Sequence, residues 1–200
     1  MTFSILDSSD VALEHRFDDL DAAIAHVHTA DLDHPETLAA REQILEFCGQ
    51  HADALHRSCL SGHLTGSALV VDPGRNQALL LHHAKLDRWL QPGGHADGDG
   101  NLAAVALREA EEETGIEGLR VVTPAIDLDV HAIPERGDEP EHLHLDVRFL
   151  ILTPPNCTVA HNHEALAYRW VDTDDDAVVA SAELPRAIGR ALHTASSVVH

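Results

Sequence analysis

Positive charge is what this chain has least of. Its 200 residues hold 13 Lys and Arg against 34 Asp and Glu, a formal net charge of −21 with histidine neutral, and Lys85 is the single lysine. Such a surface repels long polyanions, which excludes a general DNA- or RNA-binding role, because that binding rests on phosphate neutralisation by Lys and Arg. Aromatic residues make up only 4%, leaving few platforms for stacking on bases. No apolar run approaches the roughly 18 residues that a membrane span needs, so no membrane partner is expected. Cys48, Cys59 and Cys157 are widely spaced without a C-x-x-C pair, which argues against a disulfide scaffold and for a reducing compartment. The first residues lack the basic and apolar regions of a signal peptide, so the expected location is cytoplasmic.

Histidine, in contrast, is abundant. Protonating all 17 would bring the formal charge from −21 to −4, so net charge depends strongly on pH. The length suits one compact core with an extension. Apolar residues recur at helical spacing over 18–31 and 35–50, the second stretch opening with Pro35 at a first helical position, so 1–60 reads as a helical N-terminal extension. From Gly62 the pattern turns to strands, with a hairpin at Pro73–Asn76. A glycine-rich loop (Leu90–Asn101) then leads into an amphipathic helix over Leu102–Gly115, which ends on a C-cap glycine. Four further strands follow over 119–123, 125–133, 142–152 and 164–172, and the chain ends in a helix near Leu184–Ala195. Mixed strands flanked by helices imply an α+β sandwich, with 61–200 as its main domain.

The helix at Leu102 carries the chemistry. Glu109, Glu112 and Glu113 stand at i, i+3 and i+4, so their carboxylates share one face. Three like charges are costly there unless a cation sits among them, and hard divalent ions such as Mg²⁺ take oxygen ligands of this kind. A solvated acidic face is the bland alternative. The glycine-rich loop in front weighs against it, because it lets backbone approach a ligand, while Leu102, Val105, Ala106 and Ala110 anchor the opposite side of the helix.

Gly94 followed by Arg108-Glu109-Ala110-Glu111-Glu112-Glu113-Thr114-Gly115-Ile116 resembles the Nudix hydrolase signature, G-x5-E-x7-R-E-U-x-E-E-x-G-U with U apolar. The surrounding Trp89–Gly94 and Tyr168–Val171 segments match too, so the resemblance spans roughly residues 60 to 175. It implies a Nudix-type α/β/α sandwich with a mixed sheet. It also implies a metal-dependent hydrolase that cleaves the diphosphate linkage of a nucleoside diphosphate joined to another moiety. Glu109, Glu112, Glu113 and the Gly93 carbonyl are then the metal ligands for Mg²⁺ or Mn²⁺, and Glu112 also orients water. Arg108 orients the glutamates, and Glu164 is a candidate base beyond the motif. The partner is a small nucleoside diphosphate derivative, which an acidic protein can bind when cations accompany it.

One position departs from the pattern: Gly100 stands where the family has a glutamate that pairs with the arginine. Asp97 or Asp99, in the same loop, is the expected substitute acceptor for Arg108. On that reading Gly100→Glu raises activity or stability modestly. A catalytically weak nucleotide-binding or regulatory module on the same fold is the rival reading. An isomerase of the same fold needs a reactive cysteine, for which Cys59 and Cys157 have no motif context.

Outside the motif, Glu139 and Glu141 lie in an acidic loop and are further base candidates. His142, His144 and Asp146 alternate along one expected strand, as do Asp127, Asp129 and His131 along another, so each set shares a face. These faces read either as a substrate pocket or as a merely polar sheet surface. A zinc site lacks third and fourth ligands at convincing spacing. Trp170 and Tyr168 are expected to pack rather than stack on bases, and the N-terminal helices to form a lid or a homodimer interface.

Overall fold

The computed structural model describes residues 2–137, 140–163, 165–179 and 184–199. Its strands are β1 (Ser4–Leu6), β2 (Gly62–Asp72), β3 (Gln77–His83), β4 (Arg88–Leu90), β5 (Gly93–His95), β6 (Arg120–Ile133), β7 (His142–Leu152) and β8 (Ala165–Val171). The helices are α1 (Leu20–Thr29), α2 (Pro35–Gln50), α3 (Leu102–Thr114), α4 (Asp176–Val179) and α5 (Leu184–Val198). The hairpin between β2 and β3 closes where it was expected, with Asn76 in the left-handed region at φ 54 and the Asp72 carboxylate accepting from Gly74 N at 2.9 Å.

All the strands join one mixed sheet in the order β1-β6-β7-β2-β3-β4, with β5 paired to β2 and β8 to β3. Every residue of β2 is buried, as suits a central strand, and β2 runs parallel to β7 from Gly62↔Leu143 to Val71↔Leu152. Alternation along these strands sorts side chains to two faces. Leu64, Ala68, Val70, Leu145, Val147 and Phe149 form one core with α1, α2 and α3. Leu69, Val71, Leu150 and Leu152 form a second with Leu184, Ala187, Ile188, Ala191 and Leu192 of α5, a stripe at helical spacing. The result is a helix–sheet–helix sandwich.

The first sixty residues are not wholly helical. Ser4–Leu6 forms the edge strand β1 against Val121–Thr123 of β6, a segment too short to show its period in sequence. The stretches 119–123 and 125–133, expected as two strands, are one strand, β6, with a register shift between Val122 and Asp127. Ala23, Val27, Ile44 and Cys48 bury themselves in the first core, and Arg190 of α5 reaches Asp31 at 2.6 Å and Asp33 at 2.9 Å. Among the described residues no helix is long and apolar enough to cross a membrane.

Candidate active site

Helix α3 owes its place to its sequence on both sides. Asn101 caps it by accepting from Ala104 N, and Gly115 ends it in the left-handed region at φ 63. Leu102, Val105, Ala106 and Ala110 are buried, which turns Arg108, Glu109, Glu112 and Glu113 toward β5 and solvent. Gly93 N donates to Glu113 Oε1 at 3.2 Å. A Cβ on Gly94 would lie 2.4 Å from the Glu109 carboxyl carbon. The glycine therefore creates the space in which this carboxylate sits against the strand backbone.

Arg108 Nη2 donates to Glu109 Oε1 at 3.1 Å. Burial nevertheless raises the Glu109 carboxyl above its usual range, and the nearby charges of Glu112 and Asp97 add to the effect against Arg108. Glu112 is exposed at the open side, while Glu109 and Glu113 are half-buried. An all-oxygen, net-negative donor set beside two glycines fits a hard divalent cation.

Arg108, hydrogen-bonded to Glu109, makes no such bond to Asp97 or Asp99 among the described residues, although its charge helps lower the Asp97 carboxyl. Asp97 is held in a two-pronged bond by Arg57, both contacts at 2.7 Å. Asp99, 2% exposed, bonds His15 Nδ1 at 2.5 Å and accepts from Arg16 N and Asn101 N, each at 2.9 Å. These carboxylates tie the loop to N-terminal residues and to the N-cap of α3, and hydrogen-bond those groups instead of Arg108. Further contacts complete the brace: Asp18 N donates to Gly98 O at 2.7 Å and Gly100 N to Arg16 O at 2.9 Å. Asn101 Nδ2 donates to Ala12 O at 2.9 Å and to Glu14 O at 3.0 Å.

Gly100 is explained by the same brace. A Cβ there would lie 2.0 Å from the Asp19 carbonyl oxygen and 3.2 Å from that of Arg16. The expectation that Gly100→Glu improves the protein is therefore overturned: the space a glutamate would take is filled by the N-terminal backbone, which supports the loop in its stead.

The alternating residues of β6 and β7 separate into two clusters. Arg148, 2% exposed, donates to Asp146 Oδ2 at 2.7 Å, to Asp127 Oδ2 at 3.0 Å and to Asp129 Oδ2 at 3.1 Å. Burial alone would depress the guanidinium pKa, but Asp146, Asp127 and Asp129 outweigh it and hold it up. Farther along the same face His142 and His144 meet His63 of β2 and His95 of β5, with ring centroids 4.8 to 5.3 Å apart. His131 stands 5.5 Å from His144. The sequence reading missed His63 and His95, whose only signal was their place on neighbouring strands. Burial and the neighbouring histidines lower His144 to about 2, and burial with Arg57 lowers His95 to about 4, so both rings are neutral.

Glu164 and Glu139 lie outside the described residues, and Glu141 is exposed. Tyr168 is 44% exposed instead of packed in the core, and the Arg75 guanidinium lies 5.3 Å from the Trp170 ring centroid.

A mixed-sheet sandwich whose glutamate helix closes on two strand glycines defines the class of protein, a Nudix-type fold. The NUDIX domain pattern matches residues 63–187, and the chain belongs to the NUDIX family. It is similar to a CMP-5'-(N-acetyl-N-hydroxy-3-aminopropyl)phosphonate hydrolase of Streptomyces rubellomurinus, with 32% identity over 118 residues, 56% of this chain and 53% of that protein. The chain thus spans about half the length of that curated relative. Among solved structures, the dihydroneopterin triphosphate pyrophosphohydrolase of E. coli shares the fold at a TM-score of 0.53 and 19% identity, covering 66% of this chain and 95% of that one. A NUDIX-family hydrolase from Clostridium perfringens aligns at a TM-score of 0.48 and 19% identity, over 66% and 97% of the two chains.

Proposed function

We propose that this chain hydrolyses the diphosphate linkage of a small nucleoside diphosphate derivative, with Mg²⁺ or Mn²⁺ held by Glu109, Glu112, Glu113 and the Gly93 carbonyl. The observation that carries the reading is the convergence of the α3 carboxylates on the Gly93–Gly94 backbone, with Gly94 leaving the space that Glu109 occupies. When bound, the cation supplies Lewis acidity and offsets charge on the phosphates. Arg108 orients Glu109 through their 3.1 Å bond. Glu113 is held by Gly93 N, and Glu112, exposed at the mouth, orients the attacking water. Glu164 as a base rests on the family resemblance alone. Residues 1–60 act in this reading as the brace of the catalytic loop. The name of the Streptomyces relative, a hydrolase of a CMP-linked phosphonate, favours a substrate in which a nucleotide is joined through phosphorus to a second group.

The test is release of nucleoside monophosphate or phosphate from a panel of nucleoside diphosphate derivatives with Mg²⁺ or Mn²⁺. Glu112→Gln lowers turnover by about 10²–10⁴-fold, Glu113→Gln abolishes it, and both leave the melting temperature near that of the parent. Nucleotide binding without turnover across the panel would replace this reading with a binding module.

A further inference from the structure

The histidine cluster lies on the opposite side of β5 from the glutamates. Successive side chains of a strand point to opposite faces. The Cβ direction at Gly94 leads to Glu109, so His95, next along, turns away from α3. Register then assembles the cluster: His63 of β2 is opposite His144 of β7, and His95 of β5 is opposite Thr65, two residues along β2 from His63. One ring nitrogen from each of His63, His95 and His144 lies within 4.8 Å of the other two. We propose that His63, His95 and His144 bind a divalent transition-metal ion of the Zn²⁺ class at a site chemically distinct from the carboxylates of α3.

The chemistry favours that class. Neutral imidazole is a ligand for Zn²⁺, Co²⁺, Ni²⁺ and Cu²⁺, whereas Mg²⁺ selects oxygen. Tetrahedral Zn²⁺ with bonds of about 2.0–2.1 Å spaces its ligand atoms roughly 3.3 Å apart. Closing from 4.8 Å therefore asks only for small side-chain rotations of rings carried on paired strands. His63 is 2% exposed and forms the floor. His95 and His144 are half-buried and leave the entry path. Three protein ligands keep a fourth position for water or a substrate atom, as in catalytic rather than structural zinc sites.

The experiment uses chelator-treated full-length protein titrated with Zn²⁺ by calorimetry and with Co²⁺ by its visible ligand-field absorption. The parent takes up one equivalent at this site. Since loss of a supporting partner alone costs 10–100-fold in affinity, His95→Ala and His144→Ala, at half-buried positions, each weaken binding by about 100-fold or more. Glu113→Gln leaves Zn²⁺ affinity unchanged, which separates this site from the hydrolytic one. In the unmutated protein, Zn²⁺ but not Mg²⁺ shifts the ring resonances of His63, His95 and His144, a readout that does not depend on how the variants fold. Absence of stoichiometric Zn²⁺ or Co²⁺ uptake, survival of uptake in the His95→Ala/His144→Ala double variant, or its loss in Glu113→Gln would each overturn the proposal.

Discussion

Replacing Arg148 by methionine keeps most of the side-chain stem and removes the guanidinium that bonds Asp146, Asp127 and Asp129. Truncating one partner of a buried ion pair costs about 3–5 kcal/mol, because the charges left behind are neither hydrated nor compensated. Here each carboxylate keeps one partner: Thr65 Oγ1 donates to Asp146 at 2.9 Å, Arg186 stands 3.4 Å from Asp127, and His131 lies 2.8 Å from Asp129. These partners place the expected loss at the lower end, about 3 kcal/mol. For a chain of this size that loss lowers the melting temperature by roughly 6–12 °C. The midpoint of urea unfolding should fall with little change in slope. The loss also depends on pH. Burial already raises Asp127, whereas Asp129, which burial alone would raise, is held at about 2 by His131 and Arg148. Without Arg148 the folded-state pKa values of Asp127 and Asp129 rise, since its charge lowers both. A carboxylate whose folded pKa exceeds its unfolded value favours the folded state at low pH and loses that contribution as pH climbs through the folded pKa. The deficit of Arg148→Met therefore shrinks as pH falls from 7 toward 4. A loss under about 1 kcal/mol at pH 7, or a deficit that grows on acidification, would refute the reasoning.

Gly94→Ala places its Cβ 2.4 Å from the Glu109 carboxyl carbon, the mobile end of a flexible side chain. The fold is expected to survive by moving that carboxylate. Hydrolytic activity and Mg²⁺ affinity then drop at least tenfold, on the order of a 1.4 kcal/mol perturbation, while melting changes little. Gly100→Glu meets rigid backbone at Asp19 and is expected to destabilise by about 1–3 kcal/mol, read as a lower melting temperature; a raised one would contradict the brace. Asp99→Ala removes the acceptor of Arg16 N and Asn101 N, and amide exchange at both positions should accelerate, with a stability loss of about 1–3 kcal/mol.

Elements whose signal lies within one segment were readable in the chain. The 3.6-residue period places Glu109, Glu112 and Glu113 on one face of α3 whatever surrounds it, and the motif supplied Gly93, Gly94 and Arg108 beside them. Helices α1 and α2 and the β2–β3 hairpin follow likewise from local patterning. The failures came at contacts between distant segments. Proximity in sequence offers Asp97 or Asp99 to Arg108, but the hydrogen bonds of these carboxylates go to Arg57 and to His15. The motif alone makes Gly100→Glu an improvement, because the backbone of Asp19 that fills the space at Gly100 belongs to another part of the chain.

What the sequence determined alone is the shared face of Glu109, Glu112 and Glu113 and the sandwich that carries it, since both are written in short, periodic stretches. What only the tertiary structure decided is the brace across the loop, the Arg148 network and the meeting of His63, His95 and His144. Strand register makes neighbours of the three histidines and of Arg148 and its carboxylates, whereas the brace needs the N-terminal segment folded back onto the loop, and both depend on packing across the whole chain.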